Sequence, residues 1–85
     1  MPNFNRLREE IIKNNYLDYI EYIKNMSDRN KAVVIKYTRG DSFKKLAKEY
    51  NVSYNRIQKI VYAFVICVRK AIRLEEKSLQ VEEER

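Results

Sequence analysis

The chain of 85 residues contains no histidine and no tryptophan, and only one cysteine, one glycine and one proline. A lone Cys67 cannot close an internal disulfide, and without histidine no zinc site of the usual Cys/His types can be assembled. Neither a metal nor a cofactor is expected. The missing histidine also removes the commonest general base and leaves Cys67 no imidazole to activate it. Glu9-Glu10 and Glu75-Glu76 read as solvated helix faces, nothing places them as a catalytic pair, and an enzyme is not expected. Long apolar runs are missing too. The longest, Ile60 to Val68, is nine residues, too short to cross a bilayer, and the N-terminal segment lacks the apolar stretch of a secretory signal. A cytoplasmic protein that avoids membranes is the expectation. Scarce turn residues, Gly40 and Pro2 alone, argue against a strand-rich fold. The predicted class is all-α.

What is present begins with charge. Hydrophobic residues at 45% and charged residues at 35% describe a globular chain. One this short buries only about 60% of its unfolded surface, so a partner or a second copy would help it. The net charge is +6, unevenly spread: residues 29–73 hold twelve basic and two acidic side chains, Asp41 and Glu49, for +10. The flanks 1–28 and 74–85 carry −1 and −3. A contiguous basic segment is the electrostatic footprint of a protein that meets a polyanion.

Periodicity divides the chain into four to five helices. Phe4, Leu7 and Ile11, then Leu17, Ile20 and Ile23, recur at helical spacing on either side of Asn14-Asn15, as two short helices or one bent one, with Asn3 or Asn5 as N-cap. Residues 1–26 thus form an N-terminal segment for packing or dimerisation. Ser27-Asp28 caps a helix through Ala32, Val33, Ile35 and Tyr37, and Gly40 ends it. Ser42, with Asp41 beside it, caps a short helix over 43–50. A long helix then runs from Tyr54 to about Glu76, with Ile57, Ile60, Val61, Phe64, Val68, Ala71 and Ile72 as its apolar stripe. The acidic tail 77–85 is expected to fray.

Residues 43–62, FKKLAKEYNVSYNRIQKIVY, fit a helix-turn-helix. Such a unit needs a small residue where its helices meet, apolar pins at fixed places and a turn position tolerant of positive φ. Ala47 is the small residue, Leu46, Tyr50, Val52, Ile57 and Ile60 are the pins, Asn51 takes the turn and Ser53 caps the second helix. The second helix would enter the major groove of double-stranded DNA and present Tyr54, Asn55, Gln58 and Lys59 to base edges. Arg39, Ser42, Lys44, Lys45, Ser53 and Arg56 would meet the DNA backbone.

The same stretch resembles a known family. Residues 27–74, with a helix ending VIKYTRG, then DSFKKLAKEYNVS, YNRIQKI and a closing VRKAIRL, look like region 4 of bacterial sigma factors and related small regulators of phages and mobile elements. The resemblance implies a sequence-specific transcription regulator over residues 27–76, with RNA polymerase as a second partner or, alternatively, a protein-interaction module that docks on RNA polymerase or a sigma factor with little DNA binding of its own. Carried over by position, Tyr54, Asn55 and Lys59 would face bases, and Ser53, Arg56 and Gln58 the backbone or neighbouring bases. Primary sigma factors typically place Arg, Glu and Gln at the base-facing positions, so the Tyr, Asn and Lys found here imply a different target sequence. The chain has no room for the region that melts the −10 element, and a complete sigma factor is not expected.

Three features stand apart from this motif. Tyr16, Tyr19 and Tyr22, three apart, read as a half-buried packing stripe. Cys67, flanked by apolar residues, reads as an inert buried thiol. Tyr62, Val65 and Ile66 widen the apolar surface of the long helix until it is apolar nearly all round. Either the N-terminal helices cover that second face or a second subunit does, and the reading favours a homodimer through helix 54–76 and the N-terminal helices.

Overall fold

The computed structural model describes residues 6–24 and 26–83, with side chains through Leu74. It is an all-α bundle: α1 (Leu7–Lys13), a 3₁₀ helix (Tyr16–Tyr22), α2 (Asp28–Arg39), α3 (Phe43–Tyr50) and α4 (Tyr54–Glu83), with no strand among the described residues. Pro2, Phe4 and the expected caps Asn3 and Asn5 lie outside the described residues; the N-cap position of α1 is Arg6, with no side-chain cap bond. No helix is long and apolar enough to cross a membrane among the residues described.

The N-terminal segment takes the first of its two expected forms, with a sharp break between its parts. Asn15 adopts the left-handed conformation at φ 56°, and the Asn14 side-chain amide donates to the Glu10 carbonyl at 2.9 Å. Beyond the break, Tyr16, Tyr19, Tyr22 and Leu17, Ile20, Ile23 each recur every three residues, which is the 3₁₀ period rather than the α period. Along its line the tyrosine stripe is graded: Tyr16 is buried, Tyr19 half-buried and Tyr22 80% exposed.

Each of the next three helices starts on a serine. Ser27, Ser42 and Ser53 accept through Oγ from the backbone N–H of Asn30, Lys45 and Arg56 at 3.2, 3.1 and 3.1 Å. α2 and α3 stop in the same way. Gly40 (φ 125°) and Asn51 (φ 55°) each turn the chain, and the following N–H groups of Asp41 and Val52 reach back five residues to the carbonyls of Lys36 and Ala47 at 3.1 and 3.0 Å. Glycine and asparagine are the residues for which such a φ costs least.

The core sits where α4 crosses the other elements. Val34, Leu46, Ile57, Val61, Phe64, Val65 and Val68 are fully enclosed, with Leu7, Ile11, Tyr16 and Ile20 packed from the N-terminal side. The N-terminal helices thus cover the second apolar face of α4, burying Val65 and half-burying Tyr62. Three expectations are corrected here. Cys67 is exposed, because it falls just outside the buried arc that Ile60, Phe64 and Val68 define on α4. Glu10 is not a solvated carboxylate: Arg69 grips it through Nε and Nη2 at 2.8 and 2.6 Å, and the Tyr16 hydroxyl donates to it at 2.9 Å. α4 also continues to Glu83 instead of stopping near Glu76, since the residues between include no Gly or Pro and are rich in strong helix formers.

Candidate nucleic-acid interface

The helix-turn-helix pins divide by depth. Leu46 and Ile57 are fully enclosed and Ile60 is buried, while Ala47, Tyr50 and Val52 are half-buried against them. With Ile57 and Ile60 facing inward, a helix of 3.6 residues per turn turns Asn55, Gln58 and Lys59 outward on one stripe, which ends where Tyr62 packs against the bundle. Asn55 and Lys59 are exposed and Gln58 half-exposed. Tyr54 stands apart from that stripe, on the flank of α4 nearest α3. Its ring packs edge-on against Phe43, 5.8 Å between centroids, and it remains 48% exposed.

Phe43 links this flank to the rest of the bundle. It stacks face to face on Tyr37 at 4.6 Å, and the Arg8 guanidinium lies 4.4 Å from the Tyr37 ring centre. Arg8 also donates from Nε to the Tyr37 carbonyl and from Nη2 to the Asp41 carbonyl, both at 2.8 Å. A positive charge thereby sits at the C-terminal end of α2, where the helix dipole favours it, on a Tyr37 carbonyl that also accepts from the Gly40 N–H at 3.1 Å and on the Asp41 carbonyl just past the helix. The chain Arg8, Tyr37, Phe43, Tyr54 forms a pillar joining α1, α2, α3 and the first turn of α4. Burial raises the pKa of the Tyr37 hydroxyl. Sequence reading missed this pillar. Its aromatic members are visible in one dimension, but nothing in the spacing announces that Arg8, 29 residues from Tyr37, closes it.

The expected backbone contacts surround the stripe. Arg39, Lys44, Arg56 and Lys59 are exposed and make no ion pair among the described residues. Lys45 is also exposed but pairs with Asp41 at 3.3 Å. Lys36 pairs with Glu49 and lies 5.2 Å from the Tyr50 ring centre, and the Glu49 carboxylate raises its pKa. Both acids of the basic segment are therefore already matched by lysines. Ser42 and Ser53 accept as helix caps, and each hydroxyl keeps its own proton to donate to a further acceptor. The first turn of α4 adds its unpaired N–H groups and the positive end of its dipole.

No group of three or more His, Cys, Asp or Glu is placed to hold a metal among the described residues. The arrangement offers donors, cations and amide side chains on one exposed edge, which suits recognition of an anionic polymer. Comparison with known proteins adds nothing further: no family model, no curated protein and no solved structure matches the chain.

Proposed function

We propose that the protein is a sequence-specific, double-stranded DNA-binding regulator of transcription, akin to sigma region 4, that lays the first turns of α4 in the major groove. The observation that carries the reading is the outward stripe of Asn55, Gln58 and Lys59, on a helix pinned from behind and flanked by Arg39, Lys44 and Arg56 without ion-pair partners. Asn55 and Gln58 carry the paired donor and acceptor that match adenine, Lys59 suits the acceptors of guanine, and Tyr54 offers an apolar edge to a thymine methyl. Arg39, Ser42, Lys44, Lys45, Ser53 and Arg56 hold phosphates and set the register.

Selection from a random duplex pool tests this, followed by titration across salt concentrations. Lys59→Ala is expected to cost about 1–3 kcal/mol and to relax preference at one base. Lys44→Ala is expected to weaken all sequences alike and to lower the salt slope by about one. Duplex binding without salt dependence, or Asn55→Ala and Lys59→Ala proteins that bind like the parent, would overturn the reading.

A further inference from the structure

Arg8 lies on α1, outside the helix-turn-helix, yet its guanidinium holds Phe43 of that motif from two sides. Nη2 donates to the carbonyl of Asp41, two residues before Phe43, at 2.8 Å. Nε donates to the Tyr37 carbonyl at 2.8 Å, and the guanidinium lies 4.4 Å from the centre of the ring on which Phe43 stacks. The Tyr37 and Phe43 rings are 5° from parallel and 4.6 Å apart, so neither tilts without displacing the other. Arg8 itself is half-buried, and a fork fastened to two carbonyls faces the bundle, not a phosphate.

Tyr54 differs from the other residues assigned to base edges. Asn55, Gln58 and Lys59 share the outward stripe, whereas the Tyr54 ring leans edge-on against Phe43, 85° between planes, and is 48% exposed. A ring half in solvent has several staggered positions open to it, and an edge-to-face contact of this kind favours one of them by roughly two- to tenfold. A bias of that size is a minor part of the stability of a domain. At a base edge it decides preference, because a thymine methyl is one small group that the ring meets from one position and misses from another.

We propose that Arg8 is a positioning residue for base reading: by holding Tyr37 and the turn before Phe43, it keeps the Tyr54 ring where it meets its base. The inference rests on the DNA-binding reading. It extends the unit that reads bases back to α1, beyond the segment 27–76 in which the motif lies.

Arg8→Lys keeps the charge and loses the fork. Competition binding of the full chain to duplexes that carry each base pair in turn, at every position of the selected site, gives the readout. Tyr54→Ala is expected to flatten preference at one position and so to identify it. Arg8→Lys is expected to flatten that same position by roughly two- to tenfold, to spare the positions that Asn55→Ala and Lys59→Ala identify, and to leave the salt slope unchanged. In the Tyr54→Ala background it is expected to change nothing further there. A variant that is partly unfolded loses affinity for every duplex by one factor, so the preference ratio reports position and not stability. Parent-like preference of Arg8→Lys at the Tyr54 position, flattening at every position alike, a further loss in the Tyr54→Ala background, or a Tyr54→Ala protein with no altered position overturns the inference. Each of these leaves the DNA-binding reading standing as long as Asn55→Ala and Lys59→Ala alter positions of their own. A parent that binds no duplex defeats that reading and the inference with it.

Discussion

The two ends of α4 are held by different physics. Its start is clamped by apolar and aromatic contact: Ile57 and Ile60 are buried beneath the helix-turn-helix, and Tyr54 meets the pillar that Phe43, Tyr37 and Arg8 build. Where the helix leaves the bundle, Val68 is enclosed, Arg69 grips Glu10, and the next exposed residues are Lys70, Arg73 and Leu74. Packing of the first kind is insensitive to salt and fixes side chains to within a rotamer; an exposed ion pair is screened and weak. The end with the outward Asn55, Gln58 and Lys59 is thus the preorganised one, and the far end leaves Leu74 64% exposed.

Truncating one residue at each end is the strongest way to break this contrast. Ile57→Ala removes a fully enclosed side chain and should cost about 2–5 kcal/mol, a large share of the stability of a chain this small. Leu74→Ala, measured at a concentration low enough for a monomer, should stay within about 0.5 kcal/mol. Urea midpoints of the two variants measure the difference, and equal losses would mean that the far end is packed as firmly as the start.

Arg8→Ala comes next. It removes two hydrogen bonds from a charged donor and the cation from the Tyr37 ring, and should cost about 1–3 kcal/mol. Because the pillar ends on Tyr54, hydrogen exchange should quicken at the first turn of α4 more than at residues 65–68. An even increase along α4 would reduce Arg8 to a general packing residue.

The start of α4 also depends on two turns that look alike and should not behave alike. Gly40 at φ 125° occupies a region side chains rarely enter, and a Cβ there would meet nothing within 4 Å, so Gly40→Ala should lose about 1–3 kcal/mol through the backbone alone. Asn51 at φ 55° sits in the ordinary left-handed well; Asn51→Ala should cost about 1 kcal/mol and Asn51→Gly close to nothing. Thermal midpoints of the three variants give the order.

Those turns also show why much of the bundle is legible in one dimension. Helix stops, serine caps and the buried stripe of α4 are set by local chemistry: a φ that few residues tolerate, an oxygen three residues before a free N–H, a period of 3.6. The outward stripe of Asn55, Gln58 and Lys59 follows from the same period once Ile57 and Ile60 are placed inside. Cys67, Glu10 and Arg8 were not legible because their surroundings are set by elements remote in sequence. Whether Cys67 is buried depends on where residues 23–30 pass, and Glu10 meets Arg69 across 59 residues.

The smallest expected effect concerns that ion pair, the far end's own fastening. Arg69 holds the Glu10 carboxyl below its ordinary value of 4.5, against the opposing pull of burial, with the Tyr16 hydroxyl adding to the lowering. A carboxyl with a lowered folded pKa stabilises the protein fully above its unfolded value and loses that contribution as pH falls through the folded one. The Arg69 guanidinium is shifted upward by Glu10 and does not titrate in this range. Glu10→Gln should therefore cost under about 1 kcal/mol at pH 7, the partial exposure of both groups keeping the figure low, and less at pH 3. Other carboxylates titrate in parent and variant alike and cancel in the difference. Urea midpoints at the two pH values, each at low and high salt, give the comparison. A gap that does not narrow at pH 3 would mean that Glu10 fastens the far end through its hydrogen bond with Tyr16 and its packing, not through its charge; a gap that narrows, and that also shrinks with salt at pH 7, would leave the far end held by electrostatics where the start is held by contact.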